Sequence, residues 1–160
     1  CRSLFTRFPR LHLVLVGYFE PHLDPLPEDV LAAIRGTPAI HAVGYQPQPD
    51  SFHGFADLLC LPSYREGFPN VVIEAAALEV PTVGTRIVGL ADTVVDGDTG
   101  ILVAPKDSAA LAVALERLLA DSEARAAMGK RARKRALRLF DSRRINRLLL
   151  EEYERLSGAA

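Results

Sequence analysis

The sequence contains few of the residues that would commit it to a disulfide-rich, membrane-spanning or nucleic-acid-binding class. It has no tryptophan and only two cysteines, Cys1 and Cys60. Cys60 lies in the apolar stretch LLCLP, where we interpret it as a small core residue, so we expect no disulfide and a reducing compartment. No apolar run reaches the roughly 18 residues that a membrane-spanning helix requires. The formal net charge of -1 argues against bulk binding of nucleic acid.

Three arginines, Arg2, Arg7 and Arg10, interrupt the first apolar residues, and this pattern does not predict a signal peptide. Because the sequence opens at Cys1 rather than at methionine, we expect it to be a piece of a longer protein. We also expect a cytoplasmic protein, and peripheral contact with the inner face of the cell membrane remains open.

Short apolar segments rich in β-branched residues alternate with helical segments up to residue 105. The predicted strands are 11–17, 39–44, 57–62, 81–84 and 100–105. The predicted helices between them are 27–36, 51–56, 69–78 and 90–95. Such alternation is typical of βαβ units, so the sequence predicts an α/β fold with an open, Rossmann-like parallel sheet flanked by helices. The first strand is a continuous apolar run, and we expect it to be buried on both faces.

A helical tail follows the last predicted strand. Asp107, Asp121 and Asp141 each stand where a helix N-cap belongs. We assign residues 1–140 to one Rossmann-like domain and residues 141–160 to a C-terminal helix of the same domain. The glycines of the stretch DGDTG, residues 96–100, are interpreted as turn formers rather than as a phosphate-binding loop.

The four histidines do not have the spacing of a metal site; they are His12, His22, His41 and His53. We therefore predict no metal. His12 and His41 lie within predicted strands, where we expect their side chains to be packed.

The stretch REGFPN, residues 65–70, connects a predicted strand to a predicted helix, the type of corner at which parallel α/β sheets bind ligands. Pro69 disfavours helix at Phe68 and pre-sets the first helical position, so we expect the helix to begin at Pro69. The next three amide groups then lack intrahelical partners and, with the helix dipole, form an anion site. They belong to Asn70, Val71 and Val72. Gly67 allows the backbone to approach a ligand closely.

Two glutamates flank the start of this helix. One helical face carries residues at the spacing of successive turns, namely Asn70, Ile73, Glu74 and Ala77. Glu74 therefore lies about 6 Å along the axis from Asn70. If a diphosphate caps the helix, the Glu74 carboxylate is placed to accept hydrogen bonds from the adjoining ribose, and Glu66 faces the sugar side. The alternatives are a solvent-facing Glu74 on an amphipathic helix and an ordinary exposed loop position for Glu66.

The sequence SYREGFPNVVIEAAALEVPTVGT, followed by VVDGDTGILVAP, resembles the nucleotide-sugar-binding half of family-four (group 1) retaining glycosyltransferases with the GT-B fold, of the bacterial surface-polysaccharide type. Their E-x7-E motif corresponds to Glu66 and Glu74. The similarity covers nearly the whole chain, because it extends upstream through LHLVLVGYFEP and IHAVGYQPQPDSFHGFADLLCLPS and downstream into the helical tail. The resemblance implies that the sheet is the C-terminal half of a GT-B fold.

The resemblance also implies roles for individual residues. Glu66 would be the catalytic residue that holds the transferred sugar, and Glu74 would bind the ribose. The implied donor-binding residues are Gly67, Phe68, Pro69, Asn70, Val71, Val72 and Glu74, with Tyr45 and Gln46 bordering the base. Tyr45 is alternatively a core or rim aromatic. No cofactor and no protein-bound metal are implied; the donor substrate would be a nucleotide-diphosphate sugar, most simply a UDP-sugar.

The implied function is the donor-binding domain of a retaining glycosyltransferase that moves a hexose or similar sugar to a glycan or lipid-linked acceptor. The acceptor would bind an N-terminal domain that this sequence lacks, so we expect the fragment alone to be inactive. The alternatives are half of a sugar-nucleotide epimerase and a non-catalytic module that binds a nucleotide sugar.

Two segments depart from the family pattern. Family members carry an arginine and a lysine that clamp the diphosphate, in a segment before the first strand, and this chain begins too late to contain it. The family's Gly-Gly-x-x-Glu segment is VGLAD here, residues 88–92, and Asp92 is the candidate replacement for the acid.

The tail is rich in basic residues, with eleven lysines or arginines against four acids between Glu116 and Arg147. The default interpretation is a solvated helix face. Contact with anionic lipid headgroups is an alternative that would suit a lipid-linked acceptor. Nucleic-acid binding is the weakest option, because no stacking aromatics accompany the charges.

Overall fold

The computed structural model describes residues 2–19, 22 and 25–158. These residues form two compact units, Cys1–Ser51 and Phe52–Ala160, with the boundary inside a short helix. In chain order the elements are α1 (Arg2–Arg7), β1 (Leu13–Val16), α2 (Glu28–Gly36), β2 (Ile40–Gly44), α3 (Asp50–His53), β3 (Leu59–Leu61), α4 (Asn70–Ala77), β4 (Thr82–Thr85), α5 (Leu90–Thr93), β5 (Gly100–Val103), α6 (Ser108–Ala120), α7 (Ser122–Leu139) and α8 (Ser142–Ser157).

The first unit contains a two-stranded parallel sheet, in which β1 pairs with β2 from the register Leu13↔Ile40 onwards. Its helices are α1, which the sequence patterns did not predict, and α2. The expectation that β1 is buried on both faces was wrong, because its residues are partly exposed and Val16 is exposed. The apolar run correctly indicated parallel pairing. The first unit, however, has too few other elements to cover both faces of its two-stranded sheet.

The expectation that His12 and His41 are packed was also wrong. Both side chains are exposed, on the neighbouring strand segments of the first unit. Their rings stack with centroids 5.2 Å apart, and His12 Nδ1 lies 2.9 Å from His41 Nε2.

The second unit contains a three-stranded parallel sheet in the order β3-β4-β5. The central strand β4 is buried along its whole length. Two apolar cores lie on opposite faces of this sheet, because neighbouring residues of β5 alternate between them. One core joins α4, α5 and the sheet through Val72, Leu90, Val94 and Leu102; the other joins α6, α7 and the sheet through Val83, Ala114, Leu118 and Met128.

The helical tail follows the predicted caps. The carboxylates of Asp107 and Asp121 accept hydrogen bonds from the Ala110 and Ala124 amides, at 2.8 and 2.9 Å. Asp141 accepts from the Arg143 amide at 2.8 Å. All three predicted N-caps are therefore confirmed. None of the helices in the described ranges is both long and apolar enough to cross a membrane.

The predicted fold class is confirmed: every strand pair is parallel, helices flank the sheet of the second unit, and the chain ends in a helical tail. Within the described ranges, five strands form two hydrogen-bonded sheets. Cys60, in β3, has a free and partly buried thiol, and burial raises the pKa of that thiol to about 11, which keeps it protonated.

Candidate functional site

The candidate site lies where β3 ends and α4 begins. The connecting loop, residues 62–69, leaves the carboxyl end of β3, the edge at which parallel sheets bind ligands. We predicted that the helix would begin at Pro69, but α4 begins one residue later and Pro69 is its N-cap, with ψ 93°. The proline lies in extended rather than helical backbone, and its side chain is buried. No side chain caps the helix start by a hydrogen bond.

The first turn of α4 offers fewer amide groups than predicted. The Val72 amide donates to the Pro69 carbonyl at 3.0 Å, so the expectation that it lacks a backbone partner was wrong. This tightened first turn is a common way for a helix end to satisfy its own donors. Asn70 and Val71 occupy the first two helical positions, where no carbonyl lies four residues earlier within the helix.

The two faces of α4 differ in the predicted way. Val72 and Ala75 are buried, and Val72 belongs to the core that joins α4, α5 and the sheet. Asn70 and Glu74 are exposed on the other face, one turn apart, and the Glu74 side chain is 45% exposed. The carboxylate is thus accessible to a ligand, while the helix that carries it is fixed by its buried face.

The loop itself combines open and packed positions. Glu66 is partly buried, whereas Gly67 is exposed and has no heavy atom within 4 Å of the place where a Cβ would lie. Phe68 was predicted to contact the donor, and its ring packs edge-on against Phe140, with centroids 5.6 Å apart. Phe68 is nevertheless 51% exposed, and its contact with the donor stays a prediction.

A second loop braces this corner. Gly89, before α5, has a φ of 87°, and a Cβ there would collide with the Gly67 carbonyl oxygen and lie 3.1 Å from the Glu66 carbonyl oxygen. The Thr85 hydroxyl, at the end of β4, donates to the Ser63 carbonyl. The segment VGLAD departs from the family pattern but retains one of its glycines, Gly89. This close approach requires a glycine at that position. Asp92 is exposed, and its backbone carbonyl accepts a hydrogen bond from Arg135; its role as a replacement acid stays a prediction.

The first unit carries the two residues predicted to border the base. Tyr45 follows Gly44 at the end of β2 and is exposed, with its ring stacked on Tyr18 at 5.4 Å and 11° between planes. Gln46 donates its side-chain amide to the Val43 carbonyl at 2.8 Å. Our sequence analysis missed Tyr18, although Gly17-Tyr18 and Gly44-Tyr45 repeat one signal: a glycine followed by a tyrosine where a strand ends.

The turn before β5 is held internally. The Asp96 carboxylate pairs with the Arg86 guanidinium and accepts the Leu102 amide at 2.9 Å. Burial alone would raise the pKa of Asp96, but hydrogen bonds from Leu102, Arg86 and Gly97, together with the Arg86 charge, lower it. The interpretation of this stretch as a turn is confirmed, since the Gly97 amide donates to the Gly100 carbonyl at 2.8 Å.

The basic residues of α7 are largely used inside the second unit. Arg125 donates to Asp57 and to the Leu118 carbonyl, and Arg131 pairs with Asp98 at 2.7 Å. Two more arginines donate to loop carbonyls: Arg133 to Ala77 and Arg135 to Asp92. These four side chains fasten α7 to the loops around the sheet, a role that neither the solvated-face nor the lipid interpretation anticipated. Within the described ranges, no three residues among His, Cys, Asp and Glu are grouped so that they could hold a metal ion together.

One further residue beside Glu74 was not singled out by sequence reasoning. His53, the last residue of α3, is only 7% exposed, and its Nε2 lies 4.0 Å from Glu74 Oε2. A lone histidine 21 positions before a glutamate gives no periodic signal, so only the fold brings the two side chains together.

Known proteins share both this sequence and this fold. The family model for glycosyl transferases group 1 matches residues 2–135. The capsular polysaccharide biosynthesis glycosyltransferase CapM of Staphylococcus aureus is 35% identical over 133 residues, which is 83% of this chain and 35% of CapM. This chain therefore spans about a third of the length of that relative.

Solved structures agree with the sequence comparison. Sucrose-phosphate synthase from Thermosynechococcus elongatus superposes with a TM-score of 0.83 and 30% identity, over 99% of this chain and 41% of the synthase. The C-terminal domain of a glycosyl transferase group 1 family protein from Francisella tularensis superposes with a TM-score of 0.73 and 20% identity, over 86% of this chain and 73% of that domain, and shares the fold. The resemblance to the C-terminal half of a GT-B enzyme is thereby confirmed, and the chain belongs to the glycosyl transferases group 1 family.

Proposed function

We propose that this chain binds the nucleotide-diphosphate sugar donor of a retaining glycosyltransferase, with UDP as the nucleotide. The observation that carries the proposal is the open start of α4. Asn70 is exposed at its first position, the partly buried Val71 follows, and Glu74 stands exposed one turn beyond Asn70 on the same side of the helix. A helix start favours the negative charge of a diphosphate, and a nearby carboxylate accepts hydrogen bonds from a ribose diol.

The chemistry follows from where charge develops in the transition state. When the bond between the sugar C1 and the diphosphate oxygen breaks, negative charge grows on the diphosphate. The amides of Asn70 and Val71, with the positive end of the helix dipole, stabilise that charge. Glu66, partly buried on the loop, is the proposed catalytic residue that holds the transferred sugar beside the diphosphate. The N-cap Pro69 and the backbone of Gly67 and Phe68 shape the approach of the sugar.

We propose retention of the anomeric configuration without a cofactor or a protein-bound metal. The acceptor hydroxyl attacks C1 on the face from which the diphosphate departs, and the leaving diphosphate takes the acceptor proton. The new glycosidic bond and the broken C1–O bond then lie on the same face of the sugar, which is the stereochemical definition of retention.

The acceptor is proposed to be a glycan or a lipid-linked glycan, bound by an N-terminal domain of a longer enzyme. The name of the S. aureus relative, a capsular polysaccharide biosynthesis glycosyltransferase, supports a polysaccharide product. The same proposal puts the enzyme in the cytoplasm, with peripheral contact to the inner face of the cell membrane where the acceptor is lipid-linked.

Tyr45 and Gln46 are proposed to border the base. The support lies within the first unit, where exposed Tyr45 stacks on exposed Tyr18 directly after the parallel strands. A flat aromatic surface at the carboxyl end of a parallel sheet suits a planar base.

Titration calorimetry of the 160-residue chain with UDP tests the ribose assignment. Glu74→Gln keeps the shape of the side chain but removes its charge, and it should weaken binding by about tenfold or more, since hydrogen bonds to charged groups contribute roughly 1.5–3 kcal/mol. Glu79→Gln, an exposed glutamate just after α4, is the matched control and should bind UDP like the original chain. Unchanged affinity of Glu74→Gln would refute the assignment.

Product analysis separates the proposed transferase from an epimerase half or a binding module. A longer enzyme that contains this chain is incubated with a UDP-sugar and a glycan acceptor. Transfer with retained configuration supports the proposal. An isomerised donor supports the epimerase alternative, and an unchanged donor supports the binding module.

A further inference from the structure

His53 and Glu74 form a pair of one buried and one exposed side chain. The imidazole is 7% exposed, whereas the carboxylate is 45% exposed, and His53 Nε2 lies 4.0 Å from Glu74 Oε2. The ring is held in place by its surroundings and by the end of α3, where the His53 carbonyl accepts the Ala56 amide at 3.3 Å. The carboxylate, by contrast, can rotate within the solvent-facing side of α4.

The separation of 4.0 Å exceeds a normal hydrogen bond, which needs about 2.7–3.2 Å between heavy atoms. A small rotation of the exposed carboxylate shortens it, whereas the buried ring has little freedom to move. An ionised carboxylate has roughly four lone-pair positions, so it can accept from one histidine N–H and from two hydroxyl groups at once. The pair can therefore form without withdrawing Glu74 from a ligand.

We infer that His53 is a positioning residue for donor binding: it donates through Nε2 to one oxygen of Glu74 and thereby aims the carboxylate at the ribose diol. The inference rests on the proposed function, because it assigns a second residue to the same ribose contact. Its benefit is pre-organisation. An exposed glutamate loses rotamer freedom when a ligand fixes it, and a partner that restricts it beforehand reduces that loss.

A structural role for His53 as a packed core side chain makes a different prediction. Packing would affect the stability of the chain and the affinity for every nucleotide alike. Positioning of Glu74 affects only ligands that carry the ribose hydroxyl groups. The two roles are therefore separated by the ligand, and the mutant alone would not separate them.

The experiment compares UDP with the analogue that lacks both ribose hydroxyl groups, 2',3'-dideoxy-UDP, by titration calorimetry on the full 160-residue chain. His53→Phe keeps a flat ring but has no N–H donor. His53→Gln keeps an N–H donor at a similar reach. Melting temperatures without ligand are measured for both variants, so that a loss of folding is seen directly.

We expect His53→Phe to bind UDP about fivefold more weakly, the effect of one net hydrogen bond. We expect the dideoxy analogue to bind this variant and the original chain equally, and His53→Gln to recover most of the UDP affinity. Combining His53→Phe with Glu74→Gln should add nothing to the loss from Glu74→Gln alone, because the histidine acts through the glutamate.

Two outcomes would overturn the inference. One is an equal loss for UDP and the dideoxy analogue, which indicates a packing role; the other is unchanged UDP affinity in a folded His53→Phe. If His53→Phe does not fold, His53→Met, which also lacks an N–H donor, replaces it in the same comparison, and the same two outcomes overturn the inference. Failure of the underlying function is distinguishable, since Glu74→Gln would then bind UDP normally.

Discussion

Two motif segments of the second unit, the loop of residues 62–69 and the turn of residues 95–99, adjoin opposite ends of strands in its parallel sheet. The loop leaves the carboxyl end of β3, and the turn enters the amino end of β5. Both belong to the sequence stretches that resemble group 1 glycosyltransferases. In the turn, Asp96 is bonded to Arg86 and Leu102, and the Thr99 hydroxyl accepts the Val95 amide at 2.9 Å. In the loop, Gly67 faces open space, and the start of α4, where Asn70 is exposed, has no side-chain cap.

The comparison distinguishes motif residues that stabilise the fold from motif residues that are available to bind a ligand. Polar groups that form their hydrogen bonds within the protein stabilise the fold. Polar groups that face solvent near the carboxyl ends of the strands are available to a ligand. Asp96 belongs to the first class and Glu74 to the second, although both are single acids in a recognisable motif. Substitutions in the turn should therefore change stability more than donor affinity, and substitutions in the loop the reverse.

The largest effect is expected at Gly89, where a substitution should lower both stability and donor affinity. Gly89→Ala forces a side chain into the Gly67 carbonyl and into a φ of 87°, which disfavours any residue with a Cβ. We expect a loss of about 2–5 kcal/mol of unfolding free energy from strain and overpacking, together with strongly weakened UDP binding. Denaturant titration and calorimetry measure both quantities.

Gly67→Ala is the matched control for the stability measurement, because a Cβ at Gly67 meets nothing within 4 Å. Its free energy of unfolding should stay close to that of the original chain. If Gly89→Ala were as stable as Gly67→Ala and bound UDP as tightly as the original chain, the close contact between the two loops would have no functional consequence.

The next effect is expected in the turn. Asp96→Asn removes the charge that pairs with Arg86 and should lower the free energy of unfolding by about 1–2 kcal/mol, since the carboxylate is partly exposed. UDP affinity should change less than stability, because the Asp96 carboxylate is satisfied within the protein by Arg86 and Leu102. A drop in UDP affinity without a drop in stability would contradict the distinction between the two segments.

The contribution of Asp96 should also depend on pH. Its folded-state pKa lies below the ordinary value of 3.8, so the unfolded chain binds the proton more readily than the folded one. The stabilisation is therefore complete above that value and is lost as the pH falls through the lowered pKa. The difference in stability between the original chain and Asp96→Asn should shrink on acidification below about 3.8, which urea titrations at a series of pH values would detect.

The smallest effect is expected at Tyr64, on the open loop. The Lys106 ammonium lies 5.8 Å from the centre of the exposed Tyr64 ring. Tyr64→Leu removes this cation–π contact and should lower the free energy of unfolding by about 0.5–1 kcal/mol, as at other exposed sites. Tyr64→Phe keeps the ring face and should have little effect. Equal losses in both variants would assign the stability to the hydroxyl group instead.

The fold was largely predictable from local chemistry. Alternating apolar strands and helices indicated parallel pairing, and the aspartates at 107, 121 and 141 marked three helix starts that the structure confirms. These signals act within a few residues, so sequence alone carries them. The burial of β1 was predicted wrongly because burial depends on how many strands and helices surround it, which no local pattern records.

The candidate site was predictable only in part. The exposed face of α4 follows from helical periodicity, and so does the one-turn separation of Asn70 and Glu74. The Val72 bond to Pro69 was missed because proline sets its own φ but not its ψ, which here is 93° rather than helical. His53, Gly89 and Tyr18 reach their neighbours through long-range packing, so periodicity alone could not single them out.

Other parts of the second unit pack closely against both ends of helix α4. Pro69 is buried ahead of its first turn, and just beyond its last turn α7 approaches so closely that a Cβ on Gly129 would collide with the Glu79 carbonyl. The helix therefore cannot slide along its axis to meet a ligand. Under the proposed donor binding, adjustment between donor and protein would come from side-chain rotation, and the distance between the proposed diphosphate and ribose contacts would stay constant.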